Sequence, residues 1–116
     1  RFESSDLIGE VNRKADRLAD GLMPLVDAER FPHVGDVRQR GLMVGIELVP
    51  PGEQGARGFD PSRRLGHEVC DACRPKGVIV RPLGNVVILM PPLAIADESL
   101  DRLAAVVVET IEEHRP

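Results

Sequence analysis

Apolar side chains recur every three or four positions from Leu7 onward: Leu7, Ile8, Val11, Ala15, Leu18, Leu22 and Leu25. That spacing gathers them on one face of an amphipathic helix over residues 7–29. Ser5 or Asp6 stands where a cap is wanted. Gly9 and Gly21 each weaken the helix by up to about 1 kcal/mol relative to alanine, and Pro24 kinks it or ends its regular part. Residues 31–41, FPHVGDVRQRG, read as a linker. The apolar run Leu42–Val49 then predicts a strand, broken on one face by Glu47, with Gly45 marking a bulge or a close backbone approach. Pro50, Pro51, Gly52 and Gly55 open a polar loop to about Asp60, the expected mobile part of the domain. Asp60-Pro61 begins a second helix, proline being favoured at the first helical position. Its inner face carries Leu65, Val69, Ala72 and Cys73, and Pro75-Lys76-Gly77 ends it.

The next stretch, GVIVRPLGNVVILMPP from Gly77 to Pro92, holds two β-branched runs, Val78–Val80 and Val86–Leu89. Both predict strands. The five residues between them contain Pro82, which has no amide proton for a ladder, and Gly84-Asn85, a turn signal. A hairpin with a five-residue loop follows, and Pro91-Pro92 closes the second strand. Asp97 is placed to cap a last helix whose stripe is Leu100, Leu103, Ala104, Val107 and Ile111. The order helix, strand, helix, strand, strand, helix predicts an α+β fold. It is a small antiparallel sheet of about three strands covered by helices.

Composition narrows this picture. A chain of 116 residues, 42% of them hydrophobic, suits one domain, residues 1–116, with a modest core. With three Phe and no Trp or Tyr, that core must be aliphatic. The net charge of −4 comes from interspersed signs. Neither a basic stripe nor an aromatic platform is present, which argues against nucleic acid as a partner. No apolar run is long enough to cross a membrane, and no signal peptide is visible, so the cytoplasm is the expected location. The chain opens on Arg1 and enters a helical pattern almost at once. A piece of a longer polypeptide is expected, its function belonging to an assembly that it completes.

Several residues could carry chemistry. Cys70 and Cys73 form a C-x-x-C preceded by His67, three potential ligands on one helical face. A structural zinc site needs four, and a redox pair needs its first cysteine at a helix N-terminus. Small apolar packing residues are the favoured reading. His33 and His114 are expected at the solvated surface. Arg38 and Arg40 alternate on one side of Gln39, as an ion-paired edge or a contact with a neighbouring domain. Arg81 follows an apolar run and precedes Pro82, which constrains its backbone. Its planar fork of donors suits a carboxylate. Locally, a surface ion pair worth about 0–1 kcal/mol explains it equally well.

Taken in order, the chain resembles the C-terminal small domain of class III aminotransferases, pyridoxal-phosphate enzymes of fold type I. The first marker is HVGDVRQRGLMVGIELV, similar to the family's V-R-x-x-G-L-M-x-G-I-E-L passage. The second combines Arg-Pro-Leu-Gly with Leu-Met-Pro-Pro between Gly77 and Ile95. It is narrower and resembles the branch of the family that serves biotin synthesis, as does DPSRRLGHEVCDACRPKG.

The resemblance implies transfer of an amino group, from S-adenosylmethionine or lysine, to the ketone of 8-amino-7-oxononanoate. It implies that Arg81 binds a substrate carboxylate, supported by Pro82 and Gly84. It also implies a homodimer, and a cofactor bound by a large domain outside this chain. The family needs a lysine that forms an imine with the cofactor, and neither Lys14 nor Lys76 lies in that lysine's context. Some relatives carry tyrosine where this chain has Ile88, which leaves the donor open. Two alternatives stand beside this reading. One is another class III enzyme of the acetylornithine or ω-amino-acid type. The other is a stand-alone redox or metal module built on His67, Cys70 and Cys73.

Overall fold

The helical periodicity of the first segment is realised as helix α1, Ser4–Leu22, in a computed structural model that describes residues 4–49 and 65–114. Ser5 and Asp6 lie inside this helix rather than before it. Pro24 ends its regular part, because the chain tightens there into a 3-10 turn, Met23–Val26, that accommodates the proline in its first turn. Leu18, Leu22 and Leu25 are buried, whereas Leu7 and Ile8 at the open end of the helix remain exposed.

The expected linker is instead a strand. Val34–Arg40 forms β1, antiparallel to β2, Met43–Leu48. Gly41, at φ +57°, turns the chain between them. β1 escapes detection by pattern because its outward positions, Asp36, Arg38 and Arg40, are charged, and the irregularity after Val34 breaks the inward alternation with Val37 and Gln39. The register of β2 is continuous through Gly45 with both neighbours, so no bulge sits there. The irregularity lies in β1, between Val34 and Asp36.

Helix α2 spans Leu65–Cys73, followed by a 3-10 turn, Arg74–Lys76, and Gly77 at φ +84°. The expected Asp60-Pro61 start and the polar loop before it lie outside the described residues. Leu65, Val69 and Cys73 are buried as the pattern requires, and Cys70 joins them; Ala72 is only half-buried. β3 is Arg81–Leu83 and β4 is Val86–Leu89.

This corrects the hairpin. Val78–Val80 does not join the ladder, and the connection is the two residues Gly84-Asn85 rather than a five-residue loop. Gly84 sits at φ +59°, the conformation that the first central residue of a tight hairpin turn requires. The sheet order is β1-β2-β4-β3, antiparallel throughout.

Helix α3, Asp97–Glu113, closes the fold. Asp97 does not cap it; the capping position is Ala96. Asp97 instead pairs with Arg13 of α1 at 3.1 Å, and Arg17 pairs with Asp101 at 2.7 Å. The core is aliphatic apart from Phe31, Cys70 and Cys73, and includes Val44, Ile46 and Leu48 of β2, Val87 and Leu89 of β4, and Leu100, Ala104, Val107 and Ile111 of α3. Helices therefore cover one face of a four-stranded sheet, and no other described element packs on the opposite face. His33 is not at the surface but fully buried, its Nε2 2.6 Å from Ile111 O. His114 is half-buried, with Nδ1 2.8 Å from Thr110 O.

Candidate functional site

Strand alternation decides which side chains reach the outward face. The register places Arg38 opposite Gly45, Gly45 opposite Ile88, and Ile88 opposite Arg81. These four residues form one row across all four strands. At about 4.8 Å per strand, the two arginines stand roughly 14 Å apart at the backbone. Around the row lie Met43, Glu47, Val86 and Leu83, with Leu83 67% exposed. Gly45 leaves a shallow groove of about 240 Å³ whose walls include Arg38, Arg40, Met43, Val86 and Ile88. Arg81 borders this groove across Ile88.

The arginines of this face differ in their surroundings. Arg38 is paired at the surface with Asp36 at 3.1 Å and Glu47 at 3.4 Å. Arg81 is exposed and makes no ion pair with any described residue. Its backbone is fixed by the ladder, with Pro82 next in β3 opposite Val87. The guanidinium is thus presented from a rigid element beside an apolar neighbour. That arrangement suits a ligand with one carboxylate and an aliphatic body.

A second cavity, about 380 Å³, opens where the ladder ends. Ile79, Met90, Pro91, Ser99 and Arg102 are among its walls, and Arg81 is not. Arg102 is already engaged there, donating to Lys76 O at 2.6 Å.

The remaining candidates have structural work. Cys70 and Cys73 are buried and unbridged. Burial pushes the Cys70 thiol up to about 11 and raises Cys73 as well. Both shifts disfavour the thiolate that redox and metal chemistry need. Among the described residues, no three His, Cys, Asp or Glu side chains are placed to hold a metal ion.

The two lysines do not suit a pyridoxal-phosphate imine, which forms from a neutral, accessible amine. Lys14 is 7% exposed, and its Nζ donates to Leu93 O at 2.5 Å and Ile95 O at 2.6 Å. Lys76 donates to Glu113 at 2.6 Å and Thr110 Oγ1 at 2.9 Å, and the Glu113 carboxylate raises its pKa. Periodicity alone had no means of finding Lys14's role. A buried lysine is visible in sequence only as a charge near an apolar stripe, and its carbonyl partners are 79 and 81 residues away.

This sheet and its helices recur in solved structures. Residues 1–111 match the family model "Aminotransferase class-III", and the chain belongs to that family. It is 42% identical over 116 residues to adenosylmethionine-8-amino-7-oxononanoate aminotransferase of Nitratidesulfovibrio vulgaris, covering 97% of this chain and 21% of that one. The crystal structure of adenosylmethionine-8-amino-7-oxononanoate aminotransferase from Methanocaldococcus jannaschii superposes with a TM-score of 0.81. It is 36% identical, and the match covers 97% of this chain and 25% of that one. An amine transaminase from an uncultivated Pseudomonas species, solved in its PLP-bound form, gives a TM-score of 0.79. Its identity is 32%, over 95% of this chain and 24% of that one. The chain thus spans between a fifth and a quarter of the length of these relatives. No helix among the described residues is long and apolar enough to cross a membrane.

Proposed function

We propose that residues 1–116 are the C-terminal small domain of a cytoplasmic, homodimeric pyridoxal-phosphate aminotransferase of biotin synthesis. The full polypeptide transfers an amino group, from S-adenosylmethionine or lysine, to 8-amino-7-oxononanoate, giving 7,8-diaminononanoate. The small domain contributes Arg81, whose guanidinium holds the carboxylate of donor and acceptor in turn. Pro82 and Gly84 fix the hairpin on which it stands. Cofactor binding and the imine-forming lysine belong to the large domain, since Lys14 and Lys76 are both committed within this fold.

The observation that carries the reading is the contrast along one cross-strand row. Arg38 is matched by two carboxylates, whereas Arg81, on the opposite edge strand, is exposed with Ile88 opposite it. A charge-assisted bond to a carboxylate is worth about 1.5–3 kcal/mol, enough to orient a substrate for reaction at its other end. The relatives named above support the particular substrate.

The test is Arg81→Ala in the full-length enzyme. Losing the bond corresponds to about a 10- to 100-fold rise in KM for 8-amino-7-oxononanoate, with the visible absorbance of the bound cofactor retained. Unchanged KM for both donor and acceptor sinks the assignment.

A further inference from the structure

Arg81 stands on a strand of three residues at the edge of the sheet. Such a strand has little rigidity of its own. The ladder to β4 fixes its backbone, the turn sets where that ladder stands, and the turn is held by Asn85. This residue is 9% exposed, and both of its oxygens are engaged. Its side-chain Oδ1 accepts the N–H of Gly66, in the first turn of α2, at 3.2 Å. Its backbone oxygen accepts the N–H of Leu48, at the end of β2, at 2.9 Å. The Asn85 side chain thus ties the turn to α2.

The fit is close. A Cβ on Gly66 would fall 2.9 Å from Gly84 O and 3.1 Å from Asn85 Cα. The turn therefore rests directly on α2, at a place where only glycine leaves room. Helix, central strand and hairpin converge on one residue, the helix through its side-chain oxygen and β2 through its backbone oxygen.

We propose that Asn85 is a positioning residue for Arg81, with Gly66 as its seat; this rests on the reading of Arg81 as the carboxylate-binding group. The lever is geometric. Leu83 pairs with Val86 and Arg81 with Ile88, so β3 moves with the turn as a unit. Arg81 lies three to four residues from the turn, about 10–13 Å along the strand. A tilt of about 5° at the turn moves it by roughly 1 Å, a misplacement that costs up to about 100-fold in positioned reactions. Asn85 thus acts on substrate recognition without touching substrate.

The experiment is a double-mutant cycle in the full-length, cofactor-loaded enzyme, with kcat and KM measured for 8-amino-7-oxononanoate. Asn85→Ala raises KM about five- to tenfold with kcat within about twofold of wild type. In an Arg81→Ala background the same substitution changes kcat/KM by less than about twofold, because its effect is transmitted through the arginine. Asn85→Asp keeps an oxygen acceptor for the Gly66 N–H and restores KM to within about twofold.

If the two substitutions multiply independently, or if Asn85→Asp is as impaired as Asn85→Ala, the positioning role is wrong while Arg81 can still bind carboxylate. If Arg81→Ala alone leaves KM unchanged, the underlying reading has failed instead. Should Asn85→Ala not accumulate as folded enzyme, Gly66→Ala enters the same cycle. Its added methyl must push the Gly84-Asn85 backbone away, and it raises KM only in enzyme that retains Arg81.

Discussion

Arg81 faces Ile88 across the β3–β4 ladder on the side of the sheet away from the described helices. Side chains directly opposite one another in such a pair have Cβ atoms about 4.5–5.5 Å apart. A carboxylate at position 88 would therefore reach the guanidinium and occupy it. Ile88→Glu in the full-length enzyme is expected to raise KM for 8-amino-7-oxononanoate by up to about fivefold, in line with cross-strand charge pairs of up to about 1 kcal/mol. Ile88→Ala removes apolar contact but leaves the fork open, and its effect is expected to be the smaller. Equal effects of the two substitutions would argue that Arg81 is not the group that senses position 88.

Lys14 joins two distant parts of the chain. Its ammonium lies within hydrogen-bonding reach of Leu93 O and Ile95 O, and 3.8 Å from Glu10. Residues 90–96 connect β4 to α3 without regular hydrogen bonding, so Lys14 is what ties that passage to α1. Lys14→Met keeps the aliphatic stem but strands both carbonyls. The expected cost is about 2–4 kcal/mol, since each hydrogen bond to a charged group is worth about 1.5–3 kcal/mol and water recovers part of the loss. Lys14→Arg can still donate to both carbonyls and is expected to lose less. Urea midpoints of the full-length variants, with m-values checked for constancy, measure the difference. Equal midpoints for Lys14→Met and wild type would remove Lys14 from the list of stabilising contacts.

The seam between α1 and α3 depends on pH with a definite sign. The Arg13 guanidinium, hydrogen-bonded to Asp97, holds that carboxyl below its ordinary range, and Arg17 does the same for Asp101. A carboxyl with a depressed pKa in the folded state contributes stability above its unfolded value. It loses that contribution as pH falls through the folded one. The seam is therefore at full strength at neutral pH and weakens below about pH 4, where ordinary aspartates begin to protonate. Amide hydrogen exchange in α1 is expected to lose protection over that window. Arg17→Gln flattens the pH dependence, and added salt reduces it, because these pairs are exposed to solvent. Protection that falls equally in Arg17→Gln and wild type would place the acid sensitivity elsewhere.

What sequence could disclose follows from the physics of each element. α3 was readable because Leu100, Ala104, Val107 and Ile111 repeat at helical spacing and all four are buried. β1 was not, because an edge strand whose outward face is charged has no alternation strong enough to see. In the hairpin, the β-branched run Val78–Val80 predicts a paired strand; its burial does alternate, with Val78 and Val80 buried and Ile79 80% exposed, but it does not pair, because the Val78 N–H is taken by Cys73 O as the chain leaves the 3-10 turn. Gly84-Asn85 alone then sets the register. Arg81 could be singled out from its neighbours in the chain. Its relation to Arg38, and the hold of Asn85 on Gly66, depend on contacts between segments far apart in sequence, for which no local pattern exists.

The cysteine pair supplies the sharpest chemical contrast with a redox or metal module. Cys70 and Cys73 lie among the core residues that α2 turns toward the sheet and α3. Removal from water raises both thiols, Cys70 to about 11. At pH 8 the native pair is then overwhelmingly protonated, and the thiolate is the form that reacts with a disulfide reagent. Both thiols are expected to react slowly with such a reagent in the native full-length enzyme and rapidly once urea exposes them. Cys70→Ala and Cys73→Ala are expected to cost stability through lost packing, about 1 kcal/mol or more each, without altering kcat. A native thiol that reacts at the rate of a free peptide cysteine would show that α2 presents its C-x-x-C to solvent. Inactivation by Cys70→Ala at unchanged stability would make that thiol part of the chemistry.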